Sequence, residues 1–218
     1  MINIAIDGPS AAGKSTVADI LADKLGYVHL DTGAMYRVVA YITKEANIEI
    51  DDEENIVNLI NRTSIEMLND GRIIVDGKEI KDEIRTNEMS MRASGVSKHK
   101  KVRETMVKMQ QNIAKNKGYI LDGRDIGTVV LKDAEVKIFL TASAKGRAMR
   151  RVLQNKLKGI PYDYDLILKD IEMRDYQDIH RDESPLVKAC DAIEIDTSDL
   201  SLEEVVDKIL EVINKKIK

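Results

Sequence analysis

A chain of 218 residues, 33% of them charged and with a net charge of −4 at pH 7, is long enough to bury a substantial core. That balance of mixed signs excludes a basic nucleic-acid coat and a disordered acidic tail, and no apolar run reaches the roughly 20 residues of a membrane span. No nucleic-acid or membrane partner is therefore expected. Cys190 is the only cysteine, which excludes an internal disulfide and a cysteine-based metal cluster and predicts a small buried hydrophobe at that position. Met1 leads straight into a core-like strand with no signal peptide, so the expected compartment is cytoplasmic.

Met1 to Asp7 is a short apolar run that reads as a buried strand, and Val17 to Leu25 has helical apolar spacing. Between them stand Gly8, Pro9, Ser10, Ala11, Ala12, Gly13, Lys14, Ser15 and Thr16, a G-x-x-x-x-G-K-[ST] match in the strand–loop–helix setting that a phosphate-binding loop requires. In such a loop, backbone N–H groups and the helix N-terminus hold phosphate oxygens. Lys14 would reach the β/γ-phosphates of ATP and the Ser15 hydroxyl would ligate Mg²⁺.

Tyr27 to Leu30 predicts a second strand ending at Asp31. A helix follows, with Thr32 as N-cap and Gly33 leaving room for a ligand beside the backbone. Tyr36 and Arg37 lie at the carboxyl end of that strand, where open α/β sheets place ligands. A polar-capped helix is expected over 51–61. Two turn signals, Asn69-Asp70-Gly71 and Asp76-Gly77, then separate three short β-like runs, predicting an antiparallel meander inserted in a binding subdomain.

Helical stretches are predicted from Ile84 to Ser94 and from about Lys100 to Lys115. Arg103 lies off the stripe formed by Val102, Met106, Met109 and Ile113, free to face a ligand. Tyr119 to Asp122 reads as a strand ending in an acid, the place for a second carboxylate that holds Mg²⁺ directly or through water. Arg124 beside it would neutralise phosphate charge, and Asp125 is left as an acceptor. Later strands are predicted at Val136–Leu140 and Ala192–Ile195, with an amphipathic helix over Leu202–Ile217. The intervening helical pair is basic: Arg147, Arg150 and Arg151 fall within one turn, and Arg174, Asp178 and Arg181 share a helix face. Near a polyphosphate, such arginines would stabilise a transferring phosphoryl group, and a covering segment would exclude water.

Over nearly its whole length the chain resembles the bacterial cytidylate kinase family. The matching segments are Ile6-Asp7-Gly8-Pro9-Ser10 with Gly13-Lys14-Ser15-Thr16, Asp31-Thr32-Gly33-Ala34-Met35-Tyr36-Arg37, Glu83-Ile84-Arg85-Thr86, Val102-Arg103, Asp122-Gly123-Arg124-Asp125-Ile126-Gly127-Thr128-Val129-Val130, Arg174-Asp175, Asp178, Arg181 and Ser184-Pro185-Leu186. The Asp-Gly-Arg-Asp run is far more specific than the phosphate loop. The resemblance implies a three-layer P-loop NTPase α/β fold: a parallel five-stranded sheet flanked by helices, an inserted monophosphate-binding subdomain carrying the meander, and a helical lid. The implied bounds are a core of 1–30, 119–144 and 187–218, a monophosphate-binding region of 31–118 and a lid of 145–186.

It also implies phosphoryl transfer from ATP–Mg²⁺ to CMP or dCMP by a monomeric enzyme. Carried over residue by residue, Arg37, Arg124 and Arg181 become the acceptor-phosphate clamp. Ser94, Arg103 and Asp125 become the cytosine readers, and Tyr36, Arg174 and Asp178 become ribose or neighbouring contacts. Thr32 and Asp122 border the CMP site, Arg151 joins the ATP site, and Lys14, Arg124, Arg174 and Arg181 act on the transferring group. Three positions depart from the pattern. Ala11 replaces a common glycine, so its backbone is expected to avoid a glycine-only conformation. Thr32 replaces serine, and Gln177 stands where some relatives have arginine and is assigned no role. Two other readings remain open: a P-loop kinase for UMP or another small molecule, and a non-catalytic nucleotide switch.

Overall fold

A computed structural model describes residues 1–68 and 70–217. Five strands build the main sheet: β1 (Ile4–Asp7), β2 (Val28–Asp31), β6 (Tyr119–Gly123), β7 (Val136–Thr141) and β8 (Ile193–Asp196). Their order is β2-β6-β1-β7-β8, and every neighbouring pair is parallel. β1 is buried along its whole length because it is central and covered on both faces. Its alternating side chains feed two cores. Ile4 and Ile6 pack with Val17, Leu21, Val206 and Ile209 of α1 (Lys14–Leu25) and α8 (Leu202–Ile217). Ala5 faces the opposite core, with Met35 and Val39 of α2 (Thr32–Glu45), Ile56 and Ile60 of α3 (Glu53–Arg62), and Val102 and Met106 of α5 (Lys100–Ile113). This is the three-layer arrangement expected of a P-loop NTPase.

The meander is a second sheet: β3 (Ile65–Met67), β4 (Ile73–Val75) and β5 (Lys78–Ile80), all antiparallel. Ile73, Val75 and Ile80 close it against Val38, Ile42 and Leu59. Asp76 and Gly77 both take positive φ, 47° and 80°, as a tight hairpin demands. The other expected turn includes Asn69, which lies outside the described residues.

The helical pair is α6 (Ala144–Leu157) and α7 (Tyr164–His180), with α7 also reaching α4 (Asn87–Val96). In α7 only Ile171 and Asp178 are fully buried, with Arg174 partly covered, the low burial found in segments that open at small free-energy cost. Three local expectations are corrected. Asp31, not Thr32, caps α2: its side chain accepts from the Ala34 amide, because a carboxylate one residue earlier reaches the orphan N–H. The stretch expected from Ile84 becomes helical only at Asn87, after Thr86 caps it. Cys190 is exposed, since it sits in the turn leading to β8 and outside the core.

Candidate active site

The carboxyl ends of β1, β2 and β6 converge, and their loops carry the polar residues. The phosphate loop leaves β1 at Gly8, whose φ is 149° and where a Cβ would lie 2.0 Å from the Leu140 carbonyl oxygen. Only glycine lets the loop cross β7 there. Ala11 holds a left-handed φ of 58°, contrary to the expectation that alanine would avoid that conformation. The loop's closure overrides a local penalty of about 1–2 kcal/mol. α1 starts at Lys14 with no side-chain cap, so its leading amides have no side-chain competitor for a bound anion. Lys14 curls back to donate to Gly8 and Pro9 carbonyls, each at 2.8 Å. Burial, reinforced by Arg124, draws its pKa down to about 7.

The loop is braced from α6 and α7. Arg147 donates to the carbonyls of Ser10 at 2.8 Å and Ala142 at 2.9 Å, and pairs with Asp175 at 2.6 Å. Asp175 in turn accepts the Ser10 amide at 3.1 Å. Arg147 is thus a buried brace and not an arginine aimed at a transferring phosphoryl group. Arg150 departs from that expectation too, because its guanidinium is engaged by the hydroxyl and carbonyl of Thr197. Both are held by backbone carbonyls of neighbouring loops and so point away from a transferring group.

Asp122, at the end of β6, divides its two oxygens. Oδ2 accepts from the Ser15 hydroxyl at 2.9 Å, and Oδ1 meets His29 Nε2 at 2.7 Å. The Thr32 hydroxyl donates to the Asp122 carbonyl at 2.7 Å. His29 Nδ1 faces Asp19 at 2.6 Å. Burial opposes a charged ring, but hydrogen bonds to Asp122 and Asp19 and their negative charges raise the His29 pKa to about 10. No group of three metal-binding side chains occurs among the described residues. One hydroxyl beside one carboxylate nevertheless suits Mg²⁺, which takes few protein ligands and completes its shell with phosphate oxygens and water. The residues fit the ion.

The loop after β6 holds the second half of the site. Asp7 accepts the amides of Ile126 and Gly127 at 2.8 and 2.7 Å, pinning the π-helical turn Ile126–Val130. Burial raises Asp7 to a pKa of about 6. This turn places Asp125, whose Oδ2 accepts from Arg103 Nη2 at 2.5 Å while Oδ1 stands 3.7 Å from Arg181. The Arg103 guanidinium lies 5.5 Å above the Tyr36 ring, and neither Tyr36 Oη nor Arg103 Nε has a partner among the described residues although both are buried. Ser94 donates to Gln177, so the residue left without a role meets one of the expected cytosine readers.

Arg124 pairs with Asp178 at 2.6 Å, and Arg37 with Asp31 at 2.9 Å. Arg181 lies just beyond α7 in extended backbone, not on the helix face expected for it, because the chain turns into Ser184-Pro185. Its side chain still folds back, donating to the Ser184 carbonyl and approaching Asp178 at 3.7 Å. Arg174 has no ion pair or hydrogen bond among the described residues. Burial and the neighbouring cations Arg124, Arg151 and Arg37 lower its pKa to about 10.

Most expected site residues therefore lie in one connected set of ion pairs and neighbouring charges. Thr16 is exposed on α1. Asp7, His29 and Asp175 were missed. An acid ending a buried strand was a visible signal for Asp7, whereas His29 meets a partner 93 residues away with no local pattern to betray it.

The chain matches the family profile described as cytidylate kinase over residues 4–215. The cytidylate kinase of Caldicellulosiruptor bescii is 53% identical over 220 residues, covering 100% of this chain and 97% of that one. That of Bacillus subtilis is 50% identical over 218 residues, covering 99% and 97%. An uncharacterized protein from Eubacterium ventriosum shares the fold with a TM-score of 0.52 at 14% identity, over 98% of each chain. On the profile and on identity that spans both chains end to end, this protein belongs to the cytidylate kinase family.

Proposed function

We propose that the protein transfers the γ-phosphoryl group of ATP to the phosphate of CMP or dCMP, yielding ADP and the cytidine diphosphate. The observation that carries this reading is the gathering of Arg37, Arg124 and Arg151 about Arg174, whose own guanidinium has no partner among the described residues, while Asp178 pairs with Arg124 and offsets only part of the charge. A dianionic acceptor phosphate and the transferring group would relieve that repulsion. Arg37, Arg124 and Arg181 clamp the acceptor, and Arg151 and the loop from Gly8 to Thr16 hold ATP. An acceptor oxygen forms the new bond to the γ-phosphorus as the bond to the β–γ bridging oxygen breaks, leaving ADP. Lys14 turns from the Gly8 and Pro9 carbonyls to the developing charge, and no strong base is required because the acceptor is already ionised. Ser15 and Asp122 hold Mg²⁺, directly or through water; when bound, the ion neutralises charge on the β- and γ-oxygens.

Cytosine specificity rests on Asp125. Its Oδ1, too far from Arg181 for a hydrogen bond, accepts from the cytosine amino group, while the unpartnered Arg103 Nε and Ser94 address the remaining ring edge. Uracil would set a carbonyl against the carboxylate and leave both unpaired. The Tyr36 hydroxyl, Arg174 and Asp178 take the ribose side. In this reading the core is 1–30, 119–144 and 187–218, the acceptor region 31–118, and the segment 145–186 closes as a lid. The same reading makes the enzyme a cytoplasmic monomer; among the described residues no helix is long and apolar enough to cross a membrane. Incubation with ATP, Mg²⁺ and separate monophosphates, following ADP release, tests the assignment. Turnover with CMP and dCMP is expected, and none with either overturns it.

A further inference from the structure

Asp122 has two oxygens and the fold treats them differently. Oδ2 sits by Ser15, at the phosphate loop, and Oδ1 is held by His29. The ring cannot slide, because its other nitrogen is fixed by Asp19. Ser15 and Asp19 stand at i and i+4 on α1, so one helix face supplies both ends of a closed circuit: Ser15, Asp122, His29, Asp19 and back along one turn. His29 belongs to the edge strand β2, opposite Ile120 in register, and its side chain is 11% exposed. Asp19, at 69% exposure, is mostly in solvent. An exposed pair contributes little stability by itself. What this one does is set the ring that sets the carboxylate.

We propose that His29, steered by Asp19, is the positioning residue that turns Asp122 Oδ2 toward Ser15 and a metal–nucleotide complex. The inference rests on the assignment of Ser15 and Asp122 to the Mg²⁺ end of the ATP site. Without the ring, the carboxylate can swing to intermediate angles at which neither oxygen faces Ser15, and the acceptor geometry for the ion is diluted. Residues behind a metal ligand act in this way, and their loss typically lowers metal affinity about 10- to 100-fold.

The test is calorimetric and needs no turnover. The dissociation constant of ADP is measured with Mn²⁺ and again with EDTA, and the ratio reports how strongly the protein couples metal to nucleotide. His29→Leu should cut this ratio about tenfold. His29→Gln, whose amide still donates to Oδ1, should restore most of it. Asp19→Ala, on the solvent side of α1, should lower it only about threefold, less than the roughly 10-fold of losing the ring, because the ring is freed but still present. The KM for CMP should stay within about twofold in all three, which separates metal positioning from a general loss of structure. Asp122→Asn serves as the reference. If it weakens the coupling while His29→Leu and Asp19→Ala do not, the positioning role is wrong. A glutamine variant as poor as leucine would also remove it, since the hydrogen bond would not be what matters. An unchanged ratio in Asp122→Asn would instead overturn the metal assignment beneath it.

Discussion

Asp125→Asn isolates the step from geometry to specificity. The carboxylate is 5% exposed and spends Oδ2 on Arg103 at 2.5 Å, leaving Oδ1 open and 3.7 Å from Arg181. Asparagine is nearly isosteric, so the pocket keeps its shape. The Arg103 bond loses its charge assistance, which weakens a contact worth about 1.5–3 kcal/mol. At the open position the change is sharper. An amide can present its oxygen to the cytosine amino group or its NH₂ to the uracil carbonyl, so the penalty against uracil disappears. A well-placed polar pair discriminates bases by about 1–3 kcal/mol, or roughly 5- to 150-fold. The ratio of kcat/KM for CMP over UMP should therefore fall by about that factor, through loss with CMP and gain with UMP. A coupled assay of ADP release with each monophosphate measures it, alongside thermal melting as a check on folding. A ratio within twofold of wild type in a folded variant would refute the role of Asp125 in base recognition.

Lys14→Met should reduce kcat by about 100- to 1,000-fold, the scale of a lost preorganised charge contact. Its Tm should hold or rise, because burial already opposes the lysine charge and draws its pKa down to about 7; near-normal turnover would refute the loop's role. Ala11→Gly should relax the left-handed φ of 58°. The stability gain is about 0.5–1 kcal/mol once glycine's extra chain entropy is set against the relieved strain, read as a rise in Tm; a fall would refute the strain. His29 has a folded pKa of about 10 against an ordinary 6.5. Its contribution is full below pH 6.5 and is lost as pH rises toward 10. The stability advantage of wild type over His29→Gln, from urea unfolding in EDTA, should shrink by about 4 kcal/mol between pH 6 and 9.5. A pH-independent difference would show that the ring is uncharged.

The parallel sheet was legible because its strands are short apolar runs, buried on both faces, with signature polar residues at their carboxyl ends. The strand–loop–helix context of Gly13 and Lys14, and the Asp76-Gly77 turn of the meander, are local patterns that chain sterics enforce. The site was legible where a motif concentrates its chemistry, as in Asp122 to Asp125. It was opaque where partners meet across the fold. Arg147 reads as one of several arginines on a basic helix turned toward a phosphoryl group, yet a link to Ser10 over 137 residues makes it a buried brace. Asp175 reaches the same loop over 165 residues. Ala11 illustrates the opposite failure: its intrinsic preference was read correctly, but loop closure outweighed it.

The central claim is a cytidine monophosphate pocket facing an ATP site. One competition measurement tests it most directly: limiting ATP–Mg²⁺ is added to an equimolar mixture of CMP, UMP and GMP, and the diphosphates formed are separated and quantified. CDP should dominate by the factor of about 5- to 150-fold estimated for the Asp125 contact. Equal amounts of UDP or GDP, or no diphosphate at all, would contradict the account.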